Sequence, residues 1–304
     1  MTTEILKEHQ QKLWYAAIKI PMYTVAVIPI TVGTAVGYVH SQQLHWGIYG
    51  TFMGAAIAII AWLNLSNDVF DADTGIDKRK AHSVVNLTGN QTLVFWISNL
   101  FLGLGICGII LISYWLRDWV VLGIVILCCL LGYTYQGPPF RLGYQGLGEI
   151  ICFICFGPLA IAAAEYSQNQ SFSYLGLATG IIIGITTSII LFCSHFHQVE
   201  DDIAAGKRSP VVRLGTAKSS QVLTLSVITV FVLIPLLVIL KLFSPWTLLT
   251  LASLPFAYQL VNHVRQYHSQ PDLVSNCKFL AVNFHFISGL LLSLGLIIDK
   301  INLL

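Results

Sequence analysis

The chain has 304 residues, of which 56% are hydrophobic and only 10% charged, with a formal net charge of +2. An ordinary soluble domain carries about 25% charged residues, so this composition describes a polytopic membrane protein. It also excludes a nucleic-acid binder, because the few basic residues are scattered among loops and do not line one surface.

The N-terminal stretch MTTEILKEHQQKLW mixes acids and bases and lacks a short apolar core with a small-residue cleavage site, so neither a signal peptide nor a transit peptide is expected. Apolar runs long enough to span a bilayer, about 20 residues each, then follow one another. They predict nine transmembrane helices over 18–38, 44–63, 93–115, 119–135, 147–164, 174–194, 222–242, 248–264 and 279–298. The expected fold class is an all-α integral membrane protein, a single polytopic domain over 1–304. Of the 16 Lys and Arg, only Arg117, Lys241 and Lys300 fall in loops on one side of this arrangement. The rest lie on the other, which the excess of positive charge in short cytoplasmic loops makes the cytoplasmic side, or the stromal side in a plastid. The N-terminus and the active site are expected on that side of a plasma or thylakoid membrane.

Within the spans, the pairs Gly33/Gly37, Gly50/Gly54 and Gly180/Gly184 are expected to let helices approach closely. Six of the seven cysteines lie in apolar runs and read as small hydrophobes. Cys152 and Cys155 form a CxxC, but with no second ligand pair nearby it does not make a metal site. Arg117, Asp118, Glu165 and Lys241 fall on the far side and read as anchors.

The charges that remain are concentrated in two places. NLSNDVFDADTGIDKRK, from Asn64 to Lys80, follows the second span, and HFHQVEDDIAAGKRSPVVRLG, from His195 to Gly215, follows the sixth. If the second helix persists for two more turns, Asn64, Asn67 or Asp68, and Asp71 share one stripe, because residues three and four apart share a face. In the second stretch His197 and Asp201 are so related, as are Gln198 and Asp202, whereas His195 and His197 point to different sides and make a poor metal pair. Each acidic stretch is followed by cations: Lys78, Arg79 and Lys80 in one case, Lys207, Arg208 and Arg213 in the other. Hard oxygen ligands select Mg²⁺ or Mn²⁺, and Mg²⁺ takes one or two carboxylates with phosphate oxygens and water. Lys and Arg beside them contact phosphate directly. One divalent-metal diphosphate site built from two halves uses all of these parts.

Those residues also carry a family resemblance. Asn67-Asp68-Val-Phe-Asp71-x-Asp73-x-Gly-x-Asp77 is similar to the first aspartate-rich motif of the UbiA superfamily of intramembrane prenyltransferases, and Glu200-Asp201-Asp202-x-x-x-Gly206-Lys207 to the second. KAHSVVNLTGN, YQGPPFRLGYQGLGE and HQVEDDIAAGKRSP resemble the branch that prenylates 1,4-dihydroxy-2-naphthoate in cyanobacteria and plastids. The resemblance implies that Asn67 and Asp71 hold Mg²⁺ and diphosphate, with Asp68 and Asp77 supporting, while Asp201 and Asp202 hold a second Mg²⁺ with Glu200 nearby. Asp71, Asp202 and Lys207 are the catalytic candidates, and diphosphate contacts are expected from Asn67, Lys78, Arg79, Lys80 and Arg208. Two positions depart from the pattern: Gly75 stands where much of the superfamily has an acid, and Gln198 stands where the second motif often begins with Asp.

The expected reaction is Mg²⁺-dependent transfer of a prenyl group, phytyl by this resemblance, from its diphosphate to 1,4-dihydroxy-2-naphthoate with loss of CO₂, a step in phylloquinone or menaquinone biosynthesis. Arg141, Tyr144 and Glu149 are acceptor-binding candidates, although Glu149 is as readily a structural partner of an arginine. Tyr133 and Tyr135 fit either the acceptor pocket or an interfacial belt, and His82 and Ser83 sit where diphosphate contacts are expected. Sister acceptors such as homogentisate, 4-hydroxybenzoate or chlorophyllide are the alternative. A divalent-cation transporter is disfavoured, because ionisable groups near mid-span are almost absent.

Overall fold

The computed structural model describes residues 11–76 and 83–301, the side chains as far as Ile298. Asp77, Lys78, Arg79, Lys80 and His82, all expected near the site, lie outside the described residues.

Among the described residues the chain is helical, and seven helices are long and apolar enough to cross a membrane. They are α1 (Gln11–Ser41), α2 (Trp46–Thr74), α3 (Gln91–Leu116), α5 (Gly148–Asn169), α6 (Tyr174–Ser194), α7 (Thr216–Ile239) and α9 (Cys277–Ile301). The other two predicted spans take different forms. Residues 119–135 correspond to α4 (Val120–Gln136), a shorter apolar helix. Residues 248–264 are split between a 3₁₀ segment, Pro245–Ser253, and α8 (Leu254–Tyr267), whose last turns carry His263 and Arg265.

Close backbone approach organises the bundle, at some of the glycines expected to provide it. A Cβ on Gly33 or Gly37 of α1 would collide with Ala164 or Gln168 of α5, and one on Gly180 or Gly184 would collide with the backbone of Gly157 and Pro158 or with Phe153. The Gly50/Gly54 pair does not behave this way: a Cβ on either would meet no neighbouring helix within 4 Å. The α2–α3 seam is closed from the other side, by Gly105 and Gly108 of α3 against Ile59 and Ala55. The reason is rotational. Phe52 and Ala55 face the buried core while Gly50 and Gly54 lie on the exposed side of α2.

Helix termini set up the two acidic stretches. α2 continues past its apolar run to Thr74, through the whole of Asn64–Asp71, and ends where Gly75 adopts φ 75° and its N–H bonds to the Asp71 carbonyl at 3.0 Å. That left-handed conformation favours glycine, which gives a structural reason for the missing acid at this position. After α6, a short helix, Val199–Ala204, carries Glu200, Asp201 and Asp202 in its first turn. Gly206, with φ 72°, turns the chain so that the Lys207 N–H reaches the Asp202 carbonyl at 2.7 Å.

Glu165, expected as a far-side anchor, is buried at 1% exposure, 4.0 Å from His40 Nε2 and against Gly176. Only a residue without a Cβ leaves room for its carboxylate there. Asp118 keeps a peripheral role, accepting a 2.6 Å hydrogen bond from the Tyr166 hydroxyl.

Candidate active site

A cavity of about 940 Å³ runs along the inner faces of α1, α2, α4 and α5, with α6 and the start of α9 closing its polar end. Both acidic stretches open into it. Asn64, Asn67 and Asp71 line it from α2, and His197, Gln198, Asp201 and Asp202 line it from the segment after α6. The predicted stripe on α2 is therefore resolved in favour of Asn67, and Asp68 turns the other way.

Asp68 is fully buried. Lys19 Nζ lies 3.0 Å from its Oδ1, and the Val84 N–H donates to its Oδ2 at 2.9 Å. Lys19 reaches it because the N-terminal helix breaks there, with φ 56° at Lys19 and a 3₁₀ turn from Ile20 to Tyr23. Asp68 thus ties α1 and the start of Val84–Thr88 to the end of α2, a role distinct from the metal contact expected of it. Lys19→Met removes the ammonium and leaves the Val84 N–H as a remaining donor, a loss of about 2 kcal/mol for a hydrogen bond to a charged group. A lowered melting temperature in detergent is expected, largely restored in Lys19→Met/Asp68→Asn, where the buried charge is gone as well. Equal melting of all three proteins would remove the tie from the account.

Asp71 is 7% exposed and collects donors from three elements. Asn67 Nδ2 donates to Oδ2 at 2.8 Å, Gln136 Nε2 from α4 to Oδ1 at 3.2 Å, and the Tyr144 hydroxyl to Oδ1 at 3.2 Å. Gln136 Nε2 also contacts Asn67 Oδ1.

Opposite, Asp202 is completely buried between Lys207 Nζ at 3.4 Å and His195 Nδ1 at 3.2 Å. Burial alone would push its carboxyl up, but the hydrogen bond from His195 and the Lys207 charge outweigh it and hold the group below the usual carboxylate range. The other ring nitrogen of His195 lies 3.4 Å from Glu149 Oε1. Glu149 is accordingly placed behind His195, and it is not among the residues lining the cavity.

Tyr144 joins the two halves. Its hydroxyl is on Asp71, its ring centroid is 5.9 Å from Lys207 Nζ, and its carbonyl accepts from the Arg208 N–H at 2.8 Å. Burial, with the Asp71 charge behind it, pushes the phenol up and keeps it a donor. The Arg213 guanidinium reinforces this bridge, donating from Nε to the Arg208 carbonyl at 3.0 Å and from its other end to Gln145.

The remaining predicted residues spread out. Arg141 sits in the same loop with φ 43°, and Arg208 and Glu200 are exposed. Ser83 is buried away from the cavity. Tyr133, Tyr135 and the thiols Cys128, Cys129, Cys152 and Cys155 line the cavity wall. Four site residues carried no assigned role in the sequence: Lys19, Gln136, His195 and Lys278, the last lining the polar end from α9. Gln136 was findable in principle, as the polar residue ending an otherwise apolar helix.

Whether this cradle suits a divalent ion is answered by its donor set. Among the described residues no three His, Cys, Asp or Glu side chains group into a self-sufficient cage. Carboxylate and amide oxygens instead enter one cavity from two walls, the arrangement that suits an ion taking its remaining ligands from phosphate and water. Asn67, Asp71, Asp201 and Asp202 fit.

Residues 26–288 match the UbiA prenyltransferase family model. A Synechocystis protein named 2-carboxy-1,4-naphthoquinone phytyltransferase is 64% identical over 94% of this chain and 93% of its own. The Arabidopsis chloroplastic protein of the same name is 41% identical over 95% and 78%. Among solved structures, a UbiA homolog from Archaeoglobus fulgidus bound to DMAPP and Mg²⁺ superposes with a TM-score of 0.56 at 13% identity, over 92% of this chain and 99% of that one. With two acid-bearing helix ends opening on one cavity in a bundle of this shape, the chain belongs to the UbiA prenyltransferase family.

Proposed function

We propose that the protein transfers a prenyl group, phytyl in the first instance, from its diphosphate to 1,4-dihydroxy-2-naphthoate, releasing diphosphate and CO₂. The observation that carries this reading is the convergence of Asn67 and Asp71 from α2 with Asp201 and Asp202 from the other wall on one cavity whose far part is apolar. The names of the Synechocystis and Arabidopsis relatives support the acceptor class. We take the bundle to have nine spans, with α4 and the Pro245–Tyr267 segment crossing as well, and the polar end of the cavity to face the cytoplasm or stroma.

Mg²⁺, held by Asn67, Asp71, Asp201 and Asp202, would supply positive charge to the leaving diphosphate. Lys207 stands beside Asp202, buried in a low-dielectric site, and adds a positive charge where negative charge grows as the allylic C–O bond opens. Gln136 and Tyr144 hold the Asp71 carboxylate in place through the hydrogen bonds described above. Tyr135, Ile151 and Cys152 line the cavity wall, and a largely apolar wall beside the reacting carbon would keep water from capturing the cation. The ring must arrive electron-rich, as the diol, for its carbon to attack; the CO₂ that departs leaves its bonding pair to restore the aromatic ring.

Purified protein in nanodiscs with Mg²⁺ and phytyl diphosphate is expected to prenylate the naphthoate diol with one CO₂ per turnover, and to stop on chelation and restart when Mg²⁺ is returned. Homogentisate, 4-hydroxybenzoate and chlorophyllide are expected to react far more slowly. Transfer to one of them in preference to the naphthoate would replace the acceptor, and Mn²⁺ flux into proteoliposomes without prenyl transfer would overturn the reading.

A further inference from the structure

Along α2 the cavity wall is a single stripe in which Asp71, Asn67, Leu63, Ile60, Ala56 and Phe52 follow one another three or four residues apart. The stripe turns from polar to apolar as it descends. At 1.5 Å per residue the distance from Asp71 to Phe52 is about 28 Å.

The lower end is shut. Phe52 is 3% exposed, and Ile30 from α1, Val125 from α4 and Ala163 from α5 meet it there at 3%, 7% and 1%, all in one buried cluster. Immediately beyond, Thr31 Oγ1 and the Tyr49 hydroxyl are hydrogen-bonded at 3.1 Å, joining α1 to α2. One turn further along α1, Gly33 lies directly on Ile161 and Ala164 of α5. A chain descending this cavity along α2 therefore meets packed side chains and a closed helix seam at its lower end.

We propose that Phe52, with Ile30, Val125 and Ala163, is a floor that fixes the length of the prenyl tail. This rests on the prenyl-transfer reading and goes beyond it, because the acidic residues that define the chemistry place no limit on chain length. Diphosphate and its ions fill the first turns below Asp71, which leaves roughly 20 Å of apolar channel above the floor. A tail of about twenty carbons in four isoprene units is about 20 Å long when extended, at carbon–carbon bond lengths near 1.5 Å, and fills it. An octaprenyl tail, about twice that length, does not. The floor residues contribute no charge and no hydrogen bond to the reaction, so they select by volume alone.

The test is a chain-length profile with one acceptor, comparing kcat/KM for geranyl, farnesyl, geranylgeranyl, phytyl, geranylfarnesyl and octaprenyl diphosphates. Wild type is expected to use twenty-carbon donors at least tenfold better than octaprenyl diphosphate. Phe52→Ala, which lowers the floor by one side chain while the seam behind it stays closed, is expected to raise the relative use of the twenty-five-carbon geranylfarnesyl diphosphate at least fivefold and to leave octaprenyl diphosphate excluded. Ala163→Phe, which raises the floor from a different helix, is expected to move the optimum to farnesyl or shorter. The filling variant keeps the test decisive if Phe52→Ala fails to fold. Equal use of twenty- and forty-carbon donors by wild type, or an unchanged profile in the folded variants, would show that the tail leaves sideways into lipid and would overturn the floor. Absence of transfer from every donor would instead strike at the prenyl-transfer reading itself.

Discussion

Asp71→Asn is expected to lower turnover at saturating Mg²⁺ by at least about a thousandfold, the scale on which single electrostatic groups act in preorganised sites. Its carboxylate accepts hydrogen bonds from Asn67, Gln136 and the Tyr144 hydroxyl, three donors from three segments. An amide offers one acceptor oxygen where the carboxylate offers two, so one of those donors must then face an NH₂ group, at a cost of about 1–3 kcal/mol if it stays buried. Loss of activity alone would therefore be ambiguous between a missing ligand charge and a disturbed network. Gln136→Leu separates them. It removes a donor to Asp71 but keeps the carboxylate, and it is expected to raise the Mg²⁺ concentration needed for half-maximal rate while retaining measurable turnover. Asp71→Asn is expected to stay inactive at any Mg²⁺ concentration, with a melting temperature close to that of Gln136→Leu. Wild-type rates from folded Asp71→Asn would take Asp71 out of the chemistry.

Those three donors also show which parts of the site were legible in advance. Asn67 lies four residues from Asp71 on one helix, so periodicity found it, and the extension of α2 to Thr74 put both on the cavity as the spacing required. Helical periodicity could not choose between Asn67 and Asp68, because both satisfy the spacing within the tolerance of a 3.6-residue turn. Lys19, Gln136 and Tyr144 lie 49, 65 and 73 residues from the carboxylates they contact. Such contacts are made by the packing of α1 and α4 on α2 and by the loop after α4, and no local pattern encodes them. The same limit applies to glycines: Gly33 and Gly50 open equivalent motifs, and only the rotation of each helix decides which one meets a neighbour. Seven of the nine predicted spans coincide with helices long and apolar enough to cross a membrane. The apolar run at Val120–Gln136 makes a shorter helix, and at Pro245–Tyr267, where Pro245 and Pro255 and a polar final turn interrupt the run, a 3₁₀ segment and a short helix replace one long one.

Asp202→Asn should both inactivate the protein and destabilise it, and the two effects come apart in a double variant. Asp202 is 0% exposed and Lys207 is 7% exposed, with Lys207 Nζ 3.4 Å from Asp202 Oδ1 and His195 on the other oxygen. Neutralising the acid leaves the lysine charge buried beside an amide, and removing one partner of a buried ion pair costs about 3–5 kcal/mol. A large fall in melting temperature is the expected result. In Asp202→Asn/Lys207→Met no unpaired charge remains, and the methionine occupies similar volume against the Tyr144 ring. Most of the lost stability should return. Activity should not, because the double variant lacks both the acid proposed to hold the ion and the cation proposed to face the diphosphate. The ion-pair account requires the double variant to melt well above the single one. If instead both melt alike, the destabilisation arises from the His195 contact, and Asp202→Asn/His195→Gln, which replaces the mismatched ring by an amide that can pair with the new one, is the variant that should then restore it. If the double variant turns over at the wild-type rate, the second half of the site has no part in catalysis, and the diphosphate is handled by the Asn67–Asp71 wall alone.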